Sequence, residues 1–427
     1  MMASTRADTR PGPVPGNDEF PKIDGARLLH RLDALNAHGG IDGGGVCRLA
    51  LTDADRAGRD WTVAQMRALG MAVTIDAIGN GIGLYAGRED LPPVMVGSHI
   101  DTVRTGGRYD GNYGVMAGLE VVATLRDAGV RLRRPVAVAF FTNEEGARFQ
   151  PDMMGSLVYV GGMPVDEALA AGGIDGSTVG VELERIGYRG QAPVGLPEVD
   201  SFIELHIEQG PALDRAGMQI GVVEGVQGIS WTEFVLEGVS NHAGTTPMAL
   251  RHDAGYCAAR IATFVHDLAL RYGGRQLGTV GAIRFEPNLV NVIPSRATFT
   301  VDLRNTDSAA LARAEAEVLD FARLTCTAQG VSLRHRSLAR FEPVAFDPRV
   351  IGLVQQHSDA LGLSSLRMPS GAGHDAQMLA RVCPAGMIFV PSVGGLSHNV
   401  REFTEPDDLM RGAQLLMRVV VSLANRP

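Results

Sequence analysis

Residues 136–145 read VAVAFFTNEE, an unbroken apolar run that ends on two adjacent glutamates. A short run with no polar alternation marks a strand buried on both faces, as in a parallel sheet covered by helices on each side. Glu144 and Glu145 then stand past its carboxyl end, where open α/β sheets place their ligands. Neighbouring carboxylates repel, and burying them is costly unless at least one meets a cation. One carboxylate on a metal and one left free to carry protons would resolve the conflict. A solvent-exposed acidic turn is the plainer alternative.

Outward from this strand the alternation of strand and helix continues. Residues 93–97 are β-rich and lead into SHIDTV, and 72–86 hold further short strands. Residues 22–38, 53–70 and 114–128 have helical periodicity, with Leu28, Leu29, Leu32 and Leu35 on one stripe. This pattern indicates an α/β sheet domain. The character changes near residue 228, where ISWTEFVLEG alternates like a half-exposed strand. A helix at 253–271, strands at 277–286 and 297–304, a helix at 307–324 and a strand at 331–337 follow. That β-α-β-β-α-β order belongs to a ferredoxin-like α+β domain. Helices at 347–361, 374–381 and 405–424, with the buried strand AGMIFVPS, return to the first pattern. The expectation is a discontinuous mixed-sheet domain at 22–227 and 330–427, an inserted domain at 228–329, and a flexible tail at 1–21.

A chain of 427 residues exceeds one ordinary core, and its 45% apolar and 20% charged residues suit a globular protein. The net charge of -9 and pI near 5.7 oppose a nucleic-acid partner, which would need a basic stripe. A small anionic substrate stays open, because a single arginine can set the local field. Cys47, Cys257, Cys326 and Cys383 are spaced too widely for a zinc knuckle or a CxxC pair, and read as free thiols. No apolar leader core opens the chain and no membrane-length apolar run follows, so the expectation is a cytoplasmic protein with no membrane partner.

Histidines and carboxylates recur in glycine-rich contexts at the other strand ends. His99 and Asp101 lie two apart in GSHIDTV, a spacing that lets the carboxylate hold the proton on the ring nitrogen away from a metal. Asp110, in GGRYDGNYG, is either a ligand or the cap of the helix that follows. In FIELHIEQG, strand alternation puts Glu204, His206 and Glu208 on one face, and a face so polar must meet a cavity, water or metal. His398 follows a Pro/Gly loop in GGLSHNVREF, where a lone histidine is as readily just exposed. The nitrogen and oxygen donors suit zinc, manganese or cobalt. Arg304, on a strand, is either a fork for a substrate carboxylate or a surface ion pair. His374 and Asp375, in GAGHDAQ, fit roles beside the site, and Asp375 equally fits a helix cap. His30, His38, His252, His266, His335 and His357 have no such company.

GSHIDTV, GGRYDG, TNEEGARF, ELHIEQG, SNHAGTTPM, NVIP, VDLRN, SGAGHDA and VPSVGGLSHN occur in that order. As a set they resemble the motifs of the N-carbamoyl-amino-acid hydrolases, which include L-carbamoylases, zinc-type β-ureidopropionases and allantoate amidohydrolases and are related to the M20 metallopeptidases. The resemblance runs from about residue 25 to the C-terminus. It implies two divalent ions, zinc foremost, with manganese, cobalt or nickel as other fits. One ion would be held by His99, Asp110 and His206, and the other by Asp110, Glu145 and His398. Glu144 would be the general base and Asp101 the residue that orients His99. Gln209, His242, Asn291, Arg304 and Gly371 would contact a small ureido-acid substrate. The resemblance further implies a homodimer through the inserted domain, with His242 able to reach the partner's site. Cleavage of N-carbamoyl-L-amino acids is the activity expected first, ahead of N-carbamoyl-β-alanine and then allantoate. The M20 aminoacylases and dipeptidases fit less well, since they generally keep a carboxylate where this chain has His206. An inactive scaffold would have lost one of these groups, and none is missing.

Overall fold

The structure, a computed structural model, describes residues 20–426 and divides the chain into two units. One runs to Gly225 and resumes at Ala345; the other is Val226–Val344. The strands are β1 (Ala72–Ile75), β2 (Gly81–Tyr85), β3 (Val94–His99), β4 (Val136–Phe141), β5 (Ser201–Ile207), β6 (Ile220–Val226), β7 (Gly228–Glu237), β8 (Leu277–Glu286), β9 (Arg296–Asn305), β10 (Ser332–Phe341), β11 (Val344–Ala345), β12 (Ser365–Ser370) and β13 (Ala385–Val390).

In the larger unit a nine-stranded sheet runs β1-β2-β4-β3-β5-β13-β6-β11, with β12 paired to β6. The four central strands β4, β3, β5 and β13 are parallel, while β1, β2 and β6 pair antiparallel. Every residue of β3, β4, β5 and β13 is buried. The unbroken apolar runs follow from this, since both faces of these strands lie under other chain. Helix Asn112–Asp127 is buried almost all round, and helix Pro406–Asn425 buries its long apolar stripe of Leu, Met and Val residues. Several helices start on a side-chain cap: Asp24 accepts the Arg27 N–H, Thr52 that of Asp55, and Asp347 those of Arg349 and Val350.

The smaller unit has the sheet order β10-β7-β9-β8, with all neighbours antiparallel. Helices Ala254–Tyr272 and Ser308–Ala328 complete the ferredoxin-like order read from the sequence. Alternation along β9 buries Ala297, Phe299, Val301 and Leu303 against these helices. A stacked Phe234–Phe299 pair lies in this core, and a stacked Phe264–Phe321 pair joins the two helices.

Three expected boundaries need correction. An insert ending at 329 omits β10, which pairs with β7 along its length, so the smaller unit extends to Val344. At the front the smaller unit begins at Val226. Residues 1–19 of the expected tail lie outside the described residues, but Phe20 is buried, with its ring against Arg418 and His357. Among the described residues no helix is long and apolar enough to cross a membrane, and all four cysteines are free.

Candidate metal centre

Four parallel neighbours release the chain at the same end of the sheet, and each delivers part of one polar cluster. His99 is the last residue of β3, and His206 the penultimate residue of β5. Glu144 and Glu145 follow β4, and His398 lies in the loop after β13. Asp110 comes from the loop before helix Asn112–Asp127. That helix is capped by Gly111 with no side-chain hydrogen bond, so Asp110 is not its cap.

Asp110 is the hub. Its Oδ1 lies 3.5 Å from His99 Nε2 and 3.2 Å from His206 Nε2. Its Oδ2 lies 3.2 Å from His398 Nε2, which is also 3.2 Å from Glu145 Oε2. Two candidate ligand groups result, His99–Asp110–His206 and Asp110–Glu145–His398, each with donor atoms within 4.8 Å of one another. A third grouping, Glu204–His206–His374, is engaged otherwise. Glu204 accepts the Ser98 hydroxyl and the Ala376 N–H, and His374 Nε2 faces Ser370 Oγ at 2.8 Å. Glu144 belongs to no group, and its Oε2 lies 3.3 Å from His99 Nε2. A cavity of about 120 Å³ opens over Asp110, Glu144, Glu145, Gln209, His374 and His398.

Burial raises the Glu144 carboxyl well above its usual range, and Asp101 is pushed up to about 6 for the same reason. Burial also opposes charge on Asp110, but hydrogen bonds from His206, His398 and His99 outweigh it and hold this carboxyl well below its usual range. His398 is raised to about 10 by its hydrogen bonds to Asp110 and Glu145. His99, His206 and His398 each face a carboxylate oxygen, and such an opposite charge favours the charged form of both groups.

Asp101 corrects one expectation. His99 Nδ1 faces the Asp101 backbone carbonyl at 2.9 Å, whereas the carboxylate is 4.0 Å away. The carboxylate accepts the backbone N–H groups of Glu144 and Glu145, at 3.2 and 3.3 Å. β3 ends at His99, so strand alternation no longer governs where Asp101 points. Glu208 differs too: it accepts the N–H groups of Ala212 and Leu213 at a helix start. Asp375 begins helix Asp375–Leu379 and does not cap it.

Among the expected substrate contacts, Gln209 Nε2 donates to Asp110 Oδ2 at 2.8 Å, and Gly371 lies in the loop after β12. His242, Asn291 and Arg304 belong to the smaller unit. The His242 and Asn291 loops bind each other through the Ala243 N–H and the Asn291 carbonyl. Arg304 places its guanidinium on Asp302, two residues earlier on β9, at 2.9 Å. The sequence reading passed over Asp152, which lines the cavity, and Ser397 and Glu402, which bond around Asp110. Only the charge of Asp152 and Glu402 could have flagged them, and surface carboxylates share that signal.

Residues 95–422 match the peptidase family M20/M25/M40. The chain belongs to the M20/M25/M40 family. Among M20 relatives, an N-carbamoyl-L-amino-acid amidohydrolase of Rhizobium meliloti is 39% identical over 96% of this chain and 99% of its own length. An allantoate amidohydrolase of Bacillus subtilis is 33% identical over 92% and 96%. The crystal structure of an amidase of the hydantoinase/carbamoylase family from Burkholderia multivorans matches with a TM-score of 0.93 and 42% identity, covering 95% of this chain and 99% of that one. The two-domain α/β architecture is therefore that of an M20 hydrolase.

Proposed function

We propose that this chain hydrolyses the carbamoyl C–N bond of N-carbamoyl-L-amino acids, giving the amino acid, ammonia and carbon dioxide, with two divalent ions at the cluster. The observation that carries the reading is the division of Asp110, whose Oδ1 faces His99 and His206 while Oδ2 faces His398. A bridging carboxylate with two flanking donor sets suits a pair of ions, and nitrogen with oxygen donors suits zinc first, then manganese, cobalt or nickel. Ions held there would polarise a carbonyl and acidify water.

The chain's own residues supply the rest. Glu144, outside both ligand groups, takes the proton of the attacking water on its carboxylate and returns it to the leaving nitrogen. Asp101 pins the backbone that presents Glu144 and Glu145. His242 Nδ1 accepts the N–H groups of Gly244 and Thr245, at 2.9 and 3.2 Å. Its proton then sits on Nε2, ready to donate to the oxygen on which charge develops. Arg304 and Asn291 bind the substrate carboxylate, which competes with Asp302 for the guanidinium fork. Gln209 and Gly371 complete the substrate contacts. The same reading has a cytoplasmic homodimer joined through the smaller unit, with His242 serving the partner's site.

The test is ammonia release by metal-replete protein from N-carbamoyl-L-alanine, N-carbamoyl-L-methionine, N-carbamoyl-β-alanine and allantoate. The L-α substrates should lead in kcat/KM by about tenfold or more, equivalent to about 1.4 kcal/mol of transition-state discrimination. Chelation should abolish turnover, and divalent metal should restore it. A lead for N-carbamoyl-β-alanine or for allantoate would transfer the reaction to that substrate. No turnover on any of the four, with both ions bound, would put the substrate outside the ureido acids.

A further inference from the structure

Glu402 takes no part in the reaction described above, yet nearly all its bonds go to the site. It is only 3% exposed. Its Oε1 accepts the backbone N–H groups of Tyr109 at 2.9 Å and Asp110 at 3.2 Å. Its Oε2 accepts the Ser397 hydroxyl at 2.9 Å, and that hydroxyl also lies 3.2 Å from Asp110 Oδ2. The Glu402 N–H donates to the Asn399 carbonyl at 2.9 Å. One side chain thus ties the loop of Asp110 to the loop of His398. Gly107 leaves room for it, since a Cβ there would come within 2.1 Å of the Glu402 carboxyl group.

The two candidate ligand groups differ in what holds them. His99 and His206 sit on fully buried central strands, and the sheet fixes them. His398 sits on a loop with 50% of its side chain exposed and a left-handed backbone, φ 53°. A ligand on such a loop needs an outside constraint before an ion can find a formed site.

We propose that Glu402 is a positioning residue for the second ion, setting Asp110 Oδ2 and the His398 loop in one register. The proposal rests on the two-ion reading above. Its consequence is selective: losing the tie weakens the Asp110–Glu145–His398 group and spares the His99–Asp110–His206 group.

The experiment titrates metal-stripped full-length protein with Co²⁺ alone, read by calorimetry and visible absorption. Wild type should take two ions. Glu402→Ala should bind the first within about threefold of wild type and the second about 10- to 100-fold more weakly. Glu402→Gln should restore the second ion, because its amide oxygen can accept both backbone N–H groups. Its NH₂ can donate to Ser397, whose own proton then turns to Asp110. Unchanged second-ion affinity in Glu402→Ala, equal loss of both ions by a folded variant, or no rescue by Gln would each overturn the proposal. Circular dichroism checks folding. If Glu402→Ala does not fold, Ser397→Ala decides: a selectively weakened second ion supports the tie, and wild-type affinity overturns it. A wild type that saturates with one ion would instead sink the two-ion reading itself.

Discussion

His99 and His206 each commit Nδ1 to a backbone carbonyl, Asp101 at 2.9 Å and Ile207 at 2.8 Å. With Nδ1–H held by that carbonyl, Nε2 faces Asp110 and is the atom each ring would offer to a metal in place of its present hydrogen bond. Backbone, more than side chain, sets these ligands. Around them Asn143, Met153, Gln209 and His398 all take positive φ without being glycine, a strain that persists where surrounding structure enforces it. His357 shows a different use of burial. It is fully buried, with Nε2 on Ser422 Oγ at 2.8 Å, and burial together with the nearby Arg418 charge lowers it to about 4. An unfolded histidine takes its proton near pH 6.5. Between about pH 6.5 and 4 the unfolded chain thus holds the extra proton, and stability falls as pH falls, by up to about 3 kcal/mol from this residue. Urea unfolding at pH 7.5 and 4.5 should show His357→Gln losing less stability than wild type over that interval; parallel losses would remove His357 as a contributor. Nothing in the sequence marks His357, which sits in an ordinary helical pattern. His99, Asp110, Glu144, Glu145, His206 and His398 were legible as a set because polar residues past apolar strands are conspicuous. Glu402 was not, because a lone glutamate in a loop has the signal of any surface carboxylate until the fold brings it to the backbone of Tyr109 and Asp110.

At the scale of elements, the site depends on how the loop after β3 enters helix Asn112–Asp127. Gly111 caps that helix at φ 65°, and a Cβ there would lie 2.4 Å from the His99 ring. Both the backbone conformation and the space demand glycine. Gly111→Ala should therefore push His99 off its position, cutting metal occupancy of the first group and kcat/KM by at least about 100-fold, with 1–3 kcal/mol or so of lost stability. Full occupancy and activity would show that the loop can absorb a methyl group, contrary to this argument. The elements that position the site were readable because central strands are apolar throughout and long helices carry a clear stripe. β8 lies at 277–286, where a strand was expected. β6 (IGVVEGV) and β12 (SLRMPS) escaped notice, the first for its glycines and glutamate, the second for its proline and short length. β10 reads as the last strand of the ferredoxin-like order, yet the expected boundary at 329 leaves it out, and its pairing with β7 places it in the smaller unit.

At the scale of the whole molecule, the residues of the proposed reaction are divided. Both candidate ligand groups and Glu144 belong to the larger unit, and His242, Asn291 and Arg304 to the smaller. Sequence periodicity cannot say whether a histidine on the smaller unit serves its own chain or another, because an interface stripe and a core stripe look alike. In the proposed homodimer, function can decide it through mixed dimers. On that proposal, Glu144→Gln and His242→Ala homodimers should each be nearly inactive, the first lacking the proposed base and the second the proposed donor. If His242 serves the partner's site, a dimer of one chain of each kind has one site with both defects and one with neither. Random exchange makes half the dimers mixed, so the mixture should recover about one quarter of wild-type activity per chain. If His242 serves its own chain, every site in the mixed dimer keeps one defect, and mixing recovers nothing. Recovery that grows with exchange time, while the separate variants stay inactive, would establish a shared site. A mixture that stays inactive after complete exchange, checked by native mass spectrometry, would confine each reaction to one chain.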